Sequence, residues 1–248
     1  MDTFRRIFIV AAIAGLISGV FVTIVHQIAT VPVILGAEVF EKAAEPMETA
    51  SAATETVVAE SAYPAAATAH DHHYDADAWE PADGFERNAF TVLADILTGI
   101  GFSLLLVAAY TFRGAQMDWH QGFCWGLAGF AVFTLAPDLG LPPEVPGTEA
   151  APLFDRQMWW LATVILTAGG LALLFLSKQV RPIYYLIAVA MIVAPHAIGA
   201  PQPAEYHSAA PESLAQRFIV AVTMTSFLFW LAMGTLTGFF YKRMFRPV

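Results

Sequence analysis

The sequence predicts an all-α polytopic membrane protein with six transmembrane helices, and three observations carry that reading. Of 248 residues, 57% are hydrophobic and only 13% charged, against about 25% charged in an ordinary soluble domain. Mean hydropathy is +0.59. Six apolar stretches reach roughly the 17–25 residues that a helix needs to cross a bilayer, and no strand-like alternation competes with them.

The first stretch, Ile7–Val33, follows Arg5 and Arg6. Its apolar core outruns the ~7–15 residues of a signal-peptide core, and no small-x-small site follows closely, so it reads as a retained helix closing a first region, 1–36. Residues 37–87 are rich in Ala, Glu, Thr, Ser and Pro without a sustained amphipathic period, which predicts a flexible tether. The remaining region, 88–248, carries the spans Asn88–Phe112, Gln121–Leu139, Met158–Leu176, Ile183–Ile198 and Phe218–Tyr241, the fifth span of the six being the shortest.

Charge sets the orientation. Under this topology Arg5, Arg6, Arg113, Lys178, Arg181, Lys242, Arg243 and Arg246 fall on one side, and Lys42, Arg87, Arg156 and Arg217 on the other. The richer side is expected to be cytoplasmic, which places both termini inside. Acidic residues lean the other way, so the net charge of −9 is mostly an external negative field. Such a field attracts cations and argues against nucleic acid as a partner. The single cysteine, Cys124, excludes a disulfide framework and any multi-cysteine metal site. No phosphate-loop motif is present, so the chain is read as neither an ATPase nor an enzyme, with no resident cofactor.

The external segment ends in "HDHHYDAD", residues 70–77. Imidazole and carboxylate together suit borderline divalent ions such as Co²⁺, Ni²⁺ and Zn²⁺. His70, His72 and His73 are close enough in sequence to chelate without a folded scaffold, with Asp71, Asp75 and Asp77 adding charge. A solvated polar loop is the plainer alternative. Coordination by these histidines needs neutral imidazole, so capture is expected to weaken as pH drops through the imidazole range near ~6.5.

The spans also repeat. "FERNAFTVLADILTGIG" opens span two and "FDRQMWWLATVILTAGG" opens span four; each sets Leu-Thr at the same distance from its arginine, Arg87 or Arg156. Span six opens with Arg217 at its outer edge. The odd spans close alike, in "TIVHQIATVPVILGAE", "TLAPDLGLPPE" and "IVAPHAIGAPQPAE": a ligand-type residue, then a turn, then an acid. Three parallel helical hairpins around an axis normal to the membrane are inferred, a pattern known from transporters with a site at the repeat interface. His26, Asp138 and His196 then occupy equivalent places near the outer helix ends and are expected to form a divalent-metal shell, favoured by the carbonyl dipoles of helix C-termini. Taken singly, His26 also fits helix packing, Asp138 the water interface and His196 the headgroups.

Asp95 lies eight residues past Arg87, about 12 Å along a helix. An aspartate at mid-membrane costs roughly 2.5–3.5 kcal/mol and usually faces a bundle interior or an aqueous path. It is assigned as the next station for the cation or a proton-coupled carboxylate; hydrogen bonding to Thr91 or Thr98 is the structural alternative. The glycines Gly15/Gly19, Gly99/Gly101, Gly169/Gly170 and Gly234/Gly238 are read as close-packing surfaces.

The N-terminal span, the acidic loop with "HDHH", "APDLGLPPEVPG" at 136–147 and "FDRQMWWLATVILTAGGLAL" at 154–173 together resemble the CbtA family of cobalt transporter proteins over essentially the whole chain. The resemblance implies Co²⁺ uptake across the bacterial inner membrane, a link to cobalamin synthesis, and a small single-span, histidine-bearing partner subunit. Ligand chemistry alone does not separate Co²⁺ from Ni²⁺ or Zn²⁺. Two other functions fit the residues: a membrane electron-transfer protein with His26 and His196 as haem ligands, and a non-transporting assembly factor.

Overall fold

A computed structural model describes residues 2–44, 81–114, 117–176 and 181–245. The described chain is built from helices: α1 (Asp2–Ala29), α2 (31–44), α3 (Phe85–Arg113), α4 (Trp119–Phe130), a π turn (Ala131–Leu135), α5 (Ala136–Asp138), α6 (Leu153–Leu176), α7 (Pro182–Ile198) and α8 (Glu212–Met244). Four of these, α1, α3, α6 and α8, are long and apolar enough to cross a membrane, while α7 is a shorter apolar helix of 17 residues. The third expected span is a helical run from Trp119 to Asp138 divided by the π turn.

Local sequence explains the breaks. The first apolar stretch, expected to continue to Val33, ends as α1 at Ala29. Thr30 turns the chain there, its amide and hydroxyl both donating to His26 O at 3.0 and 3.1 Å. Pro32 then suits the first turn of α2, where a missing N–H costs nothing. Residues 37–44, assigned from sequence to the external tether, are therefore helical. The π turn precedes Pro137, which has no N–H to give to Phe133 four residues earlier, and the Ala136 amide bonds Ala131 O instead. Asp118 caps α4 by accepting from the Gln121 amide at 3.1 Å. That bond, and next the neighbouring Lys242 charge, hold its carboxyl below the usual aspartate range.

Packing rests on small residues, as expected where lipid supplies no contrast with apolar side chains. α1 crosses α3 at Gly15, where an added Cβ would lie 2.4 Å from Ile100 backbone. α4 crosses α8 at Gly122 and Gly126, where a Cβ would lie 2.2 Å from Gly234 O and 2.4 Å from Trp230 O. Gly234 and Gly238 were marked by the sequence; Gly122 and Gly126 opposite them were not. Gly101 has nothing within 4 Å, so it is not such a contact.

The main pairings are α1 with α3 and α8, α4 with α8, and α6 with α7. These are not three consecutive hairpins. The connectors before α3 and α6 nevertheless carry similar charges. Arg87 pairs with Glu38, and Arg156 pairs with Glu144 at 3.2 Å. Both are the arginine opening an even span and the acid closing the odd span before it. Among the described residues Arg217 has no equivalent ion pair, and it is exposed.

Two apolar clusters hold the bundle. The larger runs from Tyr110, Met117 and Tyr241 at one end, beside Arg6, which lies over the Phe245 ring, to the buried Val22, Phe229 and Trp230. Ala37, Val145, Ala210 and Phe218 gather at the other end, where the Thr148–Ser208 bridge ties the connectors after α5 and α7.

Candidate functional site

Between the two ends, α1, α3, the π turn and α8 line a partly open cavity of about 210 Å³. Its polar lining is His26, Asp95, Thr98, Thr134 and Ser226; Phe102, Phe133, Phe229 and Trp230 are among its apolar walls. His26 reaches it from the last turn of α1. Asp95 reaches it from α3, brought close by the Gly15–Ile100 and Gly19–Ile96 backbone contacts. The π turn contributes Phe133 and Thr134; such turns are frequent at functional positions because they rotate side chains out of α-helical register.

The two titratable groups meet directly. His26 Nδ1 lies 3.1 Å from Asp95 Oδ2. The Thr23 hydroxyl lies 2.8 Å from the same oxygen and 3.0 Å from Gly19 O. A carboxylate only accepts, so the imidazole must carry its proton on Nδ1 to make this bond. A neutral His26 is then left with its lone pair on Nε2, the form that binds a metal ion. A carboxylate behind a metal-binding imidazole is a common means of fixing ring orientation and raising basicity. Asp95 thus has hydrogen-bond partners in Thr23 and His26, not in the Thr91 or Thr98 considered from sequence; Thr91 bonds Arg87 O instead.

Asp138 and His196 lie elsewhere. Among the described residues, no three His, Cys, Asp or Glu side chains form a group able to hold a metal ion. His26, Asp138 and His196 are accordingly not gathered into one shell. Asp138 ends α5, and His196 sits in the last turn of α7, its ring edge-on to Trp159 of α6 with centroids 5.9 Å apart. His70, His72 and His73 lie outside the described residues.

The reading of sequence missed Thr23, Thr134, Ser226 and the aromatic wall. Thr23 had a usable signal, since it precedes His26 by three residues and so shares its helix face. Thr134 and Ser226 are small polar residues in apolar runs, a pattern too common to single out.

A protein-family model described as probable cobalt transporter subunit (CbtA) matches residues 4–242, nearly the whole chain. No curated protein and no solved structure matches it significantly.

Proposed function

The chain belongs to the CbtA family of probable cobalt transporter subunits, and from that membership we propose that it is the permease component that takes up a divalent transition metal ion, Co²⁺ foremost, across the bacterial inner membrane. The observation that carries the proposal is the His26–Asp95 contact at a mainly apolar cavity into which a few polar side chains also project. His26 binds the ion through Nε2. Asp95 holds the ring through Nδ1 and supplies negative charge where a divalent cation would otherwise meet a low dielectric. Thr98, Thr134 and Ser226 offer hydroxyl oxygens in place of hydration water.

Six segments cross the membrane, with Trp119–Asp138 as the third and α7 as the fifth, and both termini are cytoplasmic. The external His70, His72 and His73 collect the ion and deliver it toward His26. Asp138 and His196 are further membrane-embedded donors. A small single-span, histidine-bearing partner completes the transporter, which serves cobalamin synthesis and performs no bond chemistry of its own.

Accumulation of radioactive cobalt by cells expressing the chain, alone and with such a partner, tests the proposal, with nickel and zinc as competitors. Accumulation above vector controls, suppressed by excess unlabelled cobalt, is expected. Accumulation equal to controls in both cases overturns it.

A further inference from the structure

Two buried polar atoms in the described chain lie outside the cavity, lack any partner and are of metal-ligand type: Asp138 Oδ2 and His196 Nε2. Orphaned polar atoms of this kind are costly to leave buried and call for an occupant. They are carried by two helix ends that meet at Trp159. At Gly140, just past the end of α5, an added Cβ would lie 2.3 Å from the Trp159 ring and 3.0 Å from Ala200 Cβ. Ala200 is four residues beyond His196. On the α7 side, the Trp159 indole N–H donates to Pro195 O at 3.2 Å, and the His196 ring stands edge-on to the same indole. Pro195 O also accepts from the Gly199 amide at 3.1 Å, which tightens the end of α7.

The electrostatics of this junction favour a cation. Helix C-termini carry partial negative charge, and here the segments that follow two of them touch at Gly140 and Ala200, one helix ending in the Asp138 carboxylate. Last-turn carbonyls, which lack intrahelical partners at a helix C-terminus, add neutral oxygen donors. We infer that Asp138 and His196 belong to a second divalent-cation site, built where the ends of α5 and α7 meet around Trp159 and separate from the His26–Asp95 cavity. One carboxylate oxygen and one imidazole nitrogen, completed by carbonyls and water, suit the same borderline divalent class as the cargo. The inference rests on the proposed function for its choice of ion. The Trp159 side chain serves as the positioning element, since it touches His196 and the segment after Asp138.

The test is cobalt binding to the purified full chain in detergent by equilibrium dialysis. His70, His72 and His73 are replaced by Ala throughout, so that the external cluster does not contribute. Two ions per chain are expected in this background, and one after Asp138→Asn with His196→Gln. After His26→Ala with Asp95→Asn, the ion at Asp138 and His196 is expected to remain. Stoichiometry unchanged by Asp138→Asn with His196→Gln overturns the second site, and means that water fills the space. If that same protein still loses an ion on His26→Ala with Asp95→Asn, the cavity reading survives without the second site. No binding in the background removes both. Asp138→Glu, which keeps the charge, retains the second ion with at most about 10–100-fold weaker affinity, the usual scale for disturbed ligand geometry, so a folding defect in the neutral variants does not decide the matter.

Discussion

His26 Nδ1 lies 3.1 Å from Asp95 Oδ2, joining the last turn of α1 to the interior of α3. The contact accounts for an aspartate among apolar helices: with the Thr23 hydroxyl at 2.8 Å, it offsets part of the roughly 2.5–3.5 kcal/mol that insertion of such a residue costs. It also sets the imidazole tautomer, which determines what His26 can bind.

If His70, His72 and His73 concentrate the ion and do not conduct it, removing them changes apparent affinity more than capacity. His70→Ala, His72→Ala and His73→Ala together are expected to raise the cobalt concentration for half-maximal uptake by about 10-fold, equivalent to ~1.4 kcal/mol, with little change in maximal rate. Uptake measured over a range of cobalt concentrations separates the two.

The α4–α8 crossing leaves no room for a side chain at Gly122, where a Cβ would meet Gly234 O at 2.2 Å. Gly122→Leu is expected to destabilise by about 1–3 kcal/mol or more, the range for overpacking. Gly101→Ala, with nothing within 4 Å, is expected to stay within about 0.5 kcal/mol of wild type. Thermal unfolding in detergent reads both.

Arg156 and Glu144, 3.2 Å apart and each partly exposed, form an ion pair of modest strength. A double-mutant cycle with Arg156→Ala and Glu144→Ala is expected to give a coupling of about 0.2–1 kcal/mol. The coupling shrinks at high salt, because a partly exposed pair is screened.

Asp118 tests pH linkage outside the spans. Its folded carboxyl is held below the ordinary range, first by the Gln121 amide. A depressed folded value means that the contribution is present above the unfolded value, near ~3.9, and is lost as pH falls through the folded one. Asp118→Asn keeps a capping side chain but not the charge. Its melting temperature is expected to lie below wild type at neutral pH, with the gap closing as pH drops below the aspartate range.

Much of the architecture was legible because lipid imposes a simple rule: long apolar runs become helices. The connector charges were legible, Arg87 with Glu38 and Arg156 with Glu144, although the helices do not pack as the three consecutive hairpins the repeat suggested. Helix partners were not. Which helix faces α8 depends on glycine surfaces such as Gly122–Gly126, whose match with Gly234–Gly238 is a matter of shape in three dimensions. The site was half legible. His26 and Asp95 stood out as costly residues in apolar runs, but the repeat suggested grouping His26 with Asp138 and His196. Equivalence in sequence places residues at similar depth without fixing which face of the helix they occupy, and His26 turns to Asp95 while His196 turns to Trp159.

If the cation passes the His26–Asp95 cavity, both side chains are needed for conduction. The direct measurement is the initial rate of radioactive cobalt uptake by His26→Ala and by Asp95→Asn, each normalised to the amount of protein in the membrane. His26→Ala is expected to abolish uptake above control and Asp95→Asn to lower it about 10–100-fold, as removal of an orienting carboxylate does at metal sites. Wild-type rates in both variants would mean that the ion takes another route.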